Sequence, residues 1–300
     1  KEKLSVFGYQ DGFAVIAKDD RFHEVLGYSQ TAYQDTMPCG FIWWIDQINA
    51  SMKQAKAPIE HYLPRQLNAT VKKSVQPLIT TKWGQQKPFN NNCIYTLNGE
   101  SYQFATGCVA TAMAQVMKFY RYPEKGCGYH SYLRKFLQGD ITISADFSES
   151  TYDWDNMLDD YSSYLYSSLQ DKYTEAVAKL MSDCGVSVNM QYNGRASDAS
   201  QANIPAALRN YFGYDDFATH YFRENRTTSL WMGMIYEELS QNRPILYGGI
   251  SSQGGHTFVL HGYNEEGLVY VNWGWYGNSD GYYDIELLNP DYYSFKNNQE

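Results

Sequence analysis

The chain has 300 residues, of which 43% are hydrophobic, 16% aromatic and 19% charged, and its formal net charge is −9 at pH 7. This length provides for one large domain or two modest domains with an ample apolar core. The acidic balance, without any run of Lys or Arg, argues against nucleic acid and anionic membranes as main partners, and no apolar stretch approaches the roughly 20 residues of a membrane span.

The first 63 residues have the pattern of a small α+β unit of their own. Strands are predicted over residues 13–17 and 24–28, and a helix over residues 41–55, where Ile and Met recur every three or four positions. Residues 37–40 are predicted to form a turn. Residues 1–4 lead into no apolar core of a signal peptide, so we expect any secretory signal to have been removed before this numbering begins.

A linker separates this unit from the rest of the chain. Residues 56–74 are polar and basic with little periodicity, which is typical of a linker. Beyond it, helices are predicted over residues 108–120, 164–183, 204–211 and 228–239, and strands over residues 244–247, 257–263, 268–273 and 281–285. Residues 264–267 should close a hairpin between the second and third of these strands.

One cysteine stands at the expected start of an Ala-rich helix. Cys108 follows Gly107 and precedes the stretch VATAMAQ. The free N–H groups and the positive dipole end of a helix favour an anion, so a thiol there ionises more readily than an isolated thiol, whose pKa is ~8.5. Cys108 is therefore the candidate nucleophile, although a small buried hydrophobic residue is an equally ordinary interpretation of this cysteine taken alone.

A candidate base and its supporting groups lie elsewhere in the sequence. His256 follows two glycines at the start of an apolar strand, where a lone histidine is more often structural, and strand alternation places His261 on the opposite face. Gln85, in a polar loop, could donate to an oxyanion beside the Cys108 N–H. Asn272 lies across the predicted hairpin from His256, so it could accept a hydrogen bond from the imidazole while an indole shields that bond from water. The alternative is an aromatic-rich turn packed in the core.

Three other patterns suggest different chemistry and are less well supported. Residues 277–281 match Gly-x-Ser-x-Gly, but a serine-hydrolase elbow needs a helix after it, and a strand is predicted there. Asp153 and Asp155 form a carboxylate pair without a second cluster, so capping before Met157 is their more ordinary role. The five cysteines are odd in number and lack the spacing of a metal knuckle, which gives little support to a disulfide scaffold or a zinc site.

Taken together, these segments resemble the streptopain family of bacterial secreted cysteine peptidases over most of the chain. The most specific segments are GCVATAMAQVMKFY from Gly107, Tyr122-Pro123, Gly254-Gly255-His256 and VNWGW from Val271, with support from YDWDNM at Tyr152 and CGVSV at Cys184. The chain departs from the family at Ile94, since family members commonly have Pro after the cysteine that matches Cys93.

The resemblance implies an α+β, papain-like cysteine peptidase fold. In that fold a helical subdomain carries the catalytic cysteine, and an antiparallel sheet subdomain carries the catalytic histidine. By this resemblance Cys108 is the nucleophile, His256 the base and Gln85 the oxyanion donor, while Asn272 and Trp273 orient or shield the histidine. The resemblance implies neither a cofactor nor a metal.

The same resemblance implies a secreted zymogen with a role in virulence. Residues 1–63 would be the propeptide domain, residues 64–76 the activation linker and residues 77–300 the catalytic domain. The propeptide is expected to inhibit its own enzyme by burying the cleft or displacing His256. Activation is expected within residues 67–76, with the bond after Lys72 as the first candidate. The expected partners are protein or peptide substrates, and neither nucleic acid nor a membrane.

Two alternatives stay open on the sequence alone. A different Cys/His hydrolase, such as a peptidoglycan amidase, would share the nucleophile and the base but lack the propeptide-like start and the Trp-Gly-Gln segment. An inactive, aromatic-rich module that binds peptide or glycan would keep the fold without turnover. Intact Cys108 and His256 argue against the second alternative, and a thiol-directed inhibitor that labels one cysteine of five would distinguish it from an enzyme.

Overall fold

The computed structural model describes residues 3–34, 36–55, 71–165, 171–194, 196–216, 218–223, 226–251 and 254–288. The elements in chain order are β1 Leu4–Tyr9, β2 Gly12–Ala17, β3 Val25–Ser29, α1 Cys39–Gln54, β4 Ile94–Leu97, β5 Glu100–Gln103, α2 Cys108–Tyr120, β6 Tyr129–Phe136, β7 Gly139–Asp146, α3 Asp171–Ser187, α4 Ile204–Phe212, α5 Thr228–Ser240, β8 Ile245–Ser251, β9 Gly254–Tyr263, β10 Val269–Asn272 and β11 Gly281–Tyr283. They belong to two compact units, one of Lys1–Thr80 with Phe222–Glu300 and one of Thr81–Tyr221.

The first unit is built on an antiparallel sheet. Within the described residues the sheet has seven strands in the order β1-β2-β3-β11-β10-β9-β8. β3 pairs with β11, and Tyr28 lies opposite Tyr282. The strands from the start of the chain therefore extend the sheet formed near its end, and they do not form the separate α+β unit expected from the sequence. β1 was not predicted.

Helix α1 packs its aromatic residues against this sheet. Phe41 meets Phe13 and Tyr283 at ring centroid distances of 5.3 and 5.8 Å, and Trp44 meets Tyr283 at 4.8 Å. The Trp44 indole N–H also donates to the Asp284 carbonyl at 2.7 Å, so its polar atom is satisfied within the core. Each such buried ring stabilises the fold by about 1.5–3 kcal/mol relative to an exposed ring. Helix α1 is thus an integral part of the core of the first unit.

The second unit combines helices with two hairpins. Helix α2 has the bounds predicted from the sequence, and it ends because Arg121 adopts a left-handed conformation with φ 50°. Helix α3 begins at Asp171, later than predicted, and part of the predicted range, residues 166–170, lies outside the described residues. The β4–β5 and β6–β7 hairpins were not predicted. The strand pairs of the described residues are all antiparallel, and the predicted α+β class is confirmed.

None of the helices in the described residues is both long enough and apolar enough to cross a bilayer.

Candidate active site

Cys108 is the first residue of helix α2 and is half-buried. The Gly107 carbonyl accepts two hydrogen bonds from Thr111, from its N–H at 3.1 Å and from its hydroxyl at 2.9 Å. The first turn of the helix is therefore fixed from both the backbone and a side chain. The positive end of the helix dipole lies at this residue.

Only glycine fits immediately before the cysteine. Gly107 has φ 87° and ψ 148°, a conformation that residues with a Cβ rarely adopt. A Cβ there would lie 2.7 Å from the Met190 Sδ and 3.0 Å from the Ser197 carbonyl oxygen. The Ser197 hydroxyl donates to the Ala105 carbonyl at 2.6 Å, so this loop is fastened to the segment that leads into Cys108.

Gln85 lies next to this segment in the second unit. Gln85 is buried, and its backbone carbonyl accepts a hydrogen bond from the Thr106 N–H at 3.0 Å. The Thr106 hydroxyl lies 2.9 Å from the Thr111 hydroxyl. Hydrogen bonds thus connect the predicted oxyanion donor, Gln85, to Thr106 in the segment before Cys108, and Thr106 to Thr111 in the first turn of α2. The preceding Trp83 is fully buried and donates to the Leu158 carbonyl, which anchors the Gln85 loop.

His256 lies on strand β9 of the first unit, directly opposite Gly249 on β8. Strand alternation places it on the same face as Phe258, the face that α1 covers. A Cβ at Gly249 would lie 2.5 Å from the Trp43 ring, so glycine makes room for that indole beside His256. Part of α1 therefore packs on the histidine's own face of the sheet.

His261 lies on the opposite face of β9, as predicted from strand alternation. Its Nδ1 accepts a hydrogen bond from the Ile79 N–H at 3.1 Å, and its ring packs against Tyr270. Burial lowers the pKa of His261 to about 3, because the charged imidazolium would lose its hydration. The neutral imidazole of His261 therefore has a structural role in the sheet.

Asn272 and Trp273 have different surroundings. Asn272 is paired in register with Val259, and its amide oxygen accepts a hydrogen bond from the Gly274 N–H at 2.9 Å. Trp273 is buried against Phe258 with ring centroids 4.8 Å apart, and its indole N–H donates to the Ser279 carbonyl at 3.0 Å. The indole therefore shares the face of His256, whereas Asn272 shares the face of Val259.

The competing motifs form other structures. Ser279 is buried with φ 64° and is followed by strand β11, so a strand-to-helix elbow is absent from residues 277–288. Asp153 accepts a hydrogen bond from the Asn156 N–H and caps a turn, where helix capping was expected. Among the described residues, no group of three His, Cys, Asp or Glu side chains could hold a metal ion.

All five cysteines are free thiols. Cys184 and Cys93 are fully buried, and burial raises the pKa of Cys93 to about 12 and that of Cys184 well above its ordinary value. Cys184 also points at the Met117 Sδ in the core, as the buried-hydrophobe interpretation predicts. Buried neutral thiols of this kind are poor nucleophiles.

The sequence did not predict that Thr106, Thr111, Met190 and Ser197 would lie around the nucleophile. Thr111 lies four residues after Gly107, which is the spacing at which a helical Thr hydroxyl donates to a preceding carbonyl. This contact could therefore have been predicted from the sequence. The packing of Met190 and Ser197 on Gly107 depends on a loop far along the chain, and local patterns carry no sign of it.

Comparisons with known proteins identify the family. Residues 83–283 match the Peptidase C10 family. The chain is 33% identical over 297 residues to the thiol protease/hemagglutinin PrtT of Porphyromonas gingivalis, covering 94% of this chain and 33% of that protein. It is 31% identical over 295 residues to streptopain of Streptococcus pyogenes, covering 93% of this chain and 72% of that protein. The chain thus spans about a third of the length of PrtT.

Two solved structures are also similar. A fragment of prointerpain A from Prevotella intermedia superposes with a TM-score of 0.85 at 39% identity, covering all of this chain and 95% of that fragment. Active interpain A superposes with a TM-score of 0.67 at 43% identity, covering 77% of this chain and 95% of the active form. The match that covers all of this chain is to a proenzyme fragment, and the α+β fold is consistent with the papain-like fold expected for these proteases. The chain belongs to the peptidase C10 family and is a cysteine peptidase.

Proposed function

We propose that the chain is a secreted cysteine endopeptidase, made as a self-inhibited zymogen, in which Cys108 is the nucleophile and His256 the general base and acid. The observation that carries the proposal is the position of Cys108 as the first residue of α2. Thr111 hydrogen-bonds to the carbonyl of the preceding Gly107, and the Thr111 hydroxyl contacts the hydroxyl of Thr106, whose N–H donates to the Gln85 carbonyl. Such preorganisation holds the thiol and its neighbouring N–H in one geometry.

In the proposed reaction His256 accepts the Cys108 proton, and the thiolate sulfur attacks the carbonyl carbon of a peptide bond. The carbonyl oxygen becomes an oxyanion. When the C–N bond breaks, imidazolium returns its proton to the leaving amine, and an acyl-enzyme remains on the sulfur. Water, deprotonated by His256, then attacks this thioester and releases the carboxylic acid with the free thiol.

The Cys108 N–H and the Gln85 side-chain amide would donate to the oxyanion. Removing such a donor costs roughly 2.7–4 kcal/mol of transition-state stabilisation, so Gln85→Ala should lower turnover by about a hundredfold or more. Gln86→Ala is the matched control, because it removes the neighbouring amide of the same loop. Wild-type turnover in Gln85→Ala would exclude Gln85 from the site.

Trp273 is the stronger candidate for shielding His256. Its indole lies on the face of β9 that bears His256, whereas the Asn272 amide oxygen already accepts the Gly274 N–H. In this proposal Trp273 keeps water from the imidazole, and Asn272 fixes the turn that carries the indole. Orientation of the histidine by Asn272 would then be indirect.

Inhibition by the N-terminal residues follows from the packing of α1. A Cβ at Gly40 would lie 2.8 Å from the Trp273 ring, and the Trp43 ring packs on Gly249, the partner of His256 in the sheet. Residues 1–63 would act as an intramolecular inhibitor by holding this face. Removing α1 would free Trp273 and His256 to adopt their active arrangement.

Activation would follow cleavage within residues 67–76, of which residues 67–70 lie outside the described residues. The Lys72 N–H donates to the Ser240 hydroxyl at 3.1 Å, and the Lys72 carbonyl accepts from the Tyr263 hydroxyl at 2.7 Å. Cleavage after Lys72 requires both hydrogen bonds to open first, so we expect it to be slow. Sequencing the N-terminus of the processed form tests the position, and a mature start upstream of Pro58 would contradict it.

The deciding experiment compares the wild type with Cys108→Ala. Both are incubated, and chain mass and casein hydrolysis are followed over time. The proposal expects only the wild type to lose about seventy residues and gain activity, since self-cleavage needs the thiol. If Cys108→Ala processes itself and hydrolyses casein as the wild type does, the nucleophile assignment is wrong.

A further inference from the structure

A pocket of about 590 Å³ lies wholly within the second unit. Its walls come from the β4–β5 hairpin, the tip of the β6–β7 hairpin and residues 192–194. This volume is within the range of about 300–1,000 Å³ that is usual for ligand pockets. None of the residues described so far as catalytic lines it. We refer to it as the aromatic pocket.

The rings of three residues form one side of the aromatic pocket. Phe104 stacks on Phe136 with ring centroids 5.4 Å apart and planes inclined by 23°, and Tyr102 stacks on Phe104 at 6.3 Å and 24°. Leu97 and Tyr192, which are both buried, also border the pocket. Phe104 itself is buried, so the half-buried Tyr102 and Phe136 present the apolar wall, which favours an aromatic or branched apolar side chain.

Arg134 adds a positive charge beside these rings. Its guanidinium carbon lies 4.4 Å above the centre of Phe136, and one Nη donates to the Tyr192 carbonyl at 3.1 Å. The other Nη donates to the Lys135 carbonyl. In the part of the chain that the structure describes, Arg134 has no carboxylate within 4 Å. Its charge therefore has no ion-pair partner there.

The lining residues include no acidic side chain. Glu100 accepts a hydrogen bond from the Tyr102 hydroxyl at 2.7 Å but does not line the pocket. An uncompensated guanidinium within an otherwise acidic chain of net charge −9 attracts an anion. Apolar rings and a cation side by side therefore fit a ligand that carries both an apolar group and a carboxylate.

We propose that the aromatic pocket binds a polypeptide segment in which an aromatic residue is followed by an acidic one, as an accessory substrate site of the peptidase. The substrate role rests on the proposed function. The pocket is coupled to the nucleophile through the described residues 190–194 and 196–197. The Asn193 N–H donates to the Ser197 hydroxyl at 3.1 Å, and that hydroxyl donates to the Ala105 carbonyl. Met190 of the same loop lies against Gly107. A segment bound at residues 192–194 thus touches the loop that supports Cys108.

Gly194 offers a way to test the pocket without removing any side chain that lines it. A Cβ at Gly194 would have open space around it, and its φ lies outside the left-handed region. Gly194→Glu therefore places a carboxylate at the pocket, Gly194→Gln places a neutral side chain of the same shape, and Gly194→Ala is the minimal control. All three are made in the full-length chain with Cys108→Ala, so that peptides are bound and not cleaved.

The probes are fluorescein-labelled hexapeptides with the sequence Gly-Gly-Phe-Asp-Gly-Gly, together with versions in which Phe is replaced by Ala or Asp by Asn. Fluorescence polarisation gives each Kd. We expect loss of the ring to weaken binding by about tenfold or more, and loss of the carboxylate by about two- to fivefold. Gly194→Glu should weaken binding of the Phe-Asp peptide relative to Gly194→Gln, while Gly194→Ala should bind as the parent chain does.

Equal binding of the three peptides, or equal binding by the Glu and Gln variants, would overturn the proposal. The result is independent of turnover, because the chain tested lacks the thiol. Selective binding by Cys108→Ala together with a wild type that never hydrolyses casein would refute the peptidase function and its substrate role, leaving a peptide-binding pocket. Hydrolysis by the wild type together with unselective binding would refute the pocket alone.

Discussion

Replacing Gly107 by Ala tests whether the backbone before Cys108 requires glycine, both for its conformation and for its close contacts. The alanine would have to keep φ 87° and ψ 148°, which costs about 1–3 kcal/mol for a residue with a Cβ. Its Cβ would also meet the Met190 Sδ at 2.7 Å and the Ser197 carbonyl at 3.0 Å. The methionine can rotate, but the carbonyl belongs to a fastened loop, so overpacking adds roughly 1–3 kcal/mol. The expected loss in unfolding free energy is about 2–6 kcal/mol.

Gly99 provides the matched control, because it has φ 84° and no atom within 4 Å of an added Cβ. Gly99→Ala should therefore lose only the backbone component, about 1–2 kcal/mol. Both changes are made in the Cys108→Ala background, which prevents self-digestion, and urea unfolding gives each midpoint and slope. In chains with the thiol, Gly107→Ala should also lose casein hydrolysis, whereas Gly99→Ala should keep it. Equal stability of the two alanine variants would refute the reasoning.

Three further predictions concern buried groups. Thr111→Val should lower the unfolding free energy by about 1–3 kcal/mol because it leaves the buried Thr106 hydroxyl without its partner, and Thr111→Ser should restore most of this loss in thermal or urea unfolding. Because the pKa of His261 is about 3 when folded and 6.5 when exposed, the unfolded chain binds more protons between these values. Its contribution to stability is therefore full above pH 6.5 and is lost as the pH falls toward 3, at up to about 1.4 kcal/mol per pH unit. His261→Asn should flatten this pH dependence, and an unchanged slope would contradict the assignment. Cys93 and Cys184 should resist iodoacetamide at pH 8 in the folded chain and react after unfolding, as peptide mass mapping would show, whereas labelling of either in the folded chain would argue against their burial.

Local pattern predicted the elements whose signals lie within a few residues. Helix α2 has Gly107 before it and Pro123 after it, and its predicted bounds match the structure. The β9–β10 hairpin was likewise predicted from its turn residues. In contrast, residues 37–40 were predicted as a turn, but helix α1 begins at Cys39, directly after Pro38. Proline is compatible with a helix start because it has no N–H to leave unsatisfied there.

Longer-range features could not be predicted from local pattern. The pairing of β3 with β11 joins distant stretches, and nothing in either strand specifies the other as its partner. Residue types identified Cys108, Gln85 and Trp273 as candidates, but the contacts that distinguish Trp273 from Asn272 depend on which face of the sheet each occupies. A sequence motif gives the chemistry of a side chain, whereas its surroundings depend on the whole fold.

The pairing of β3 with β11 also determines the order in which the chain can fold during synthesis. The Ser29 hydroxyl donates to the Asp280 carbonyl, 251 positions later, at 2.6 Å. A ribosome that adds about 5–20 residues per second needs roughly 10–50 s to cover that interval. The residues Thr81–Tyr221 form a continuous unit and can fold during this time. The edge of β3 stays unpaired until β11 has been made, and an unpaired strand edge favours aggregation.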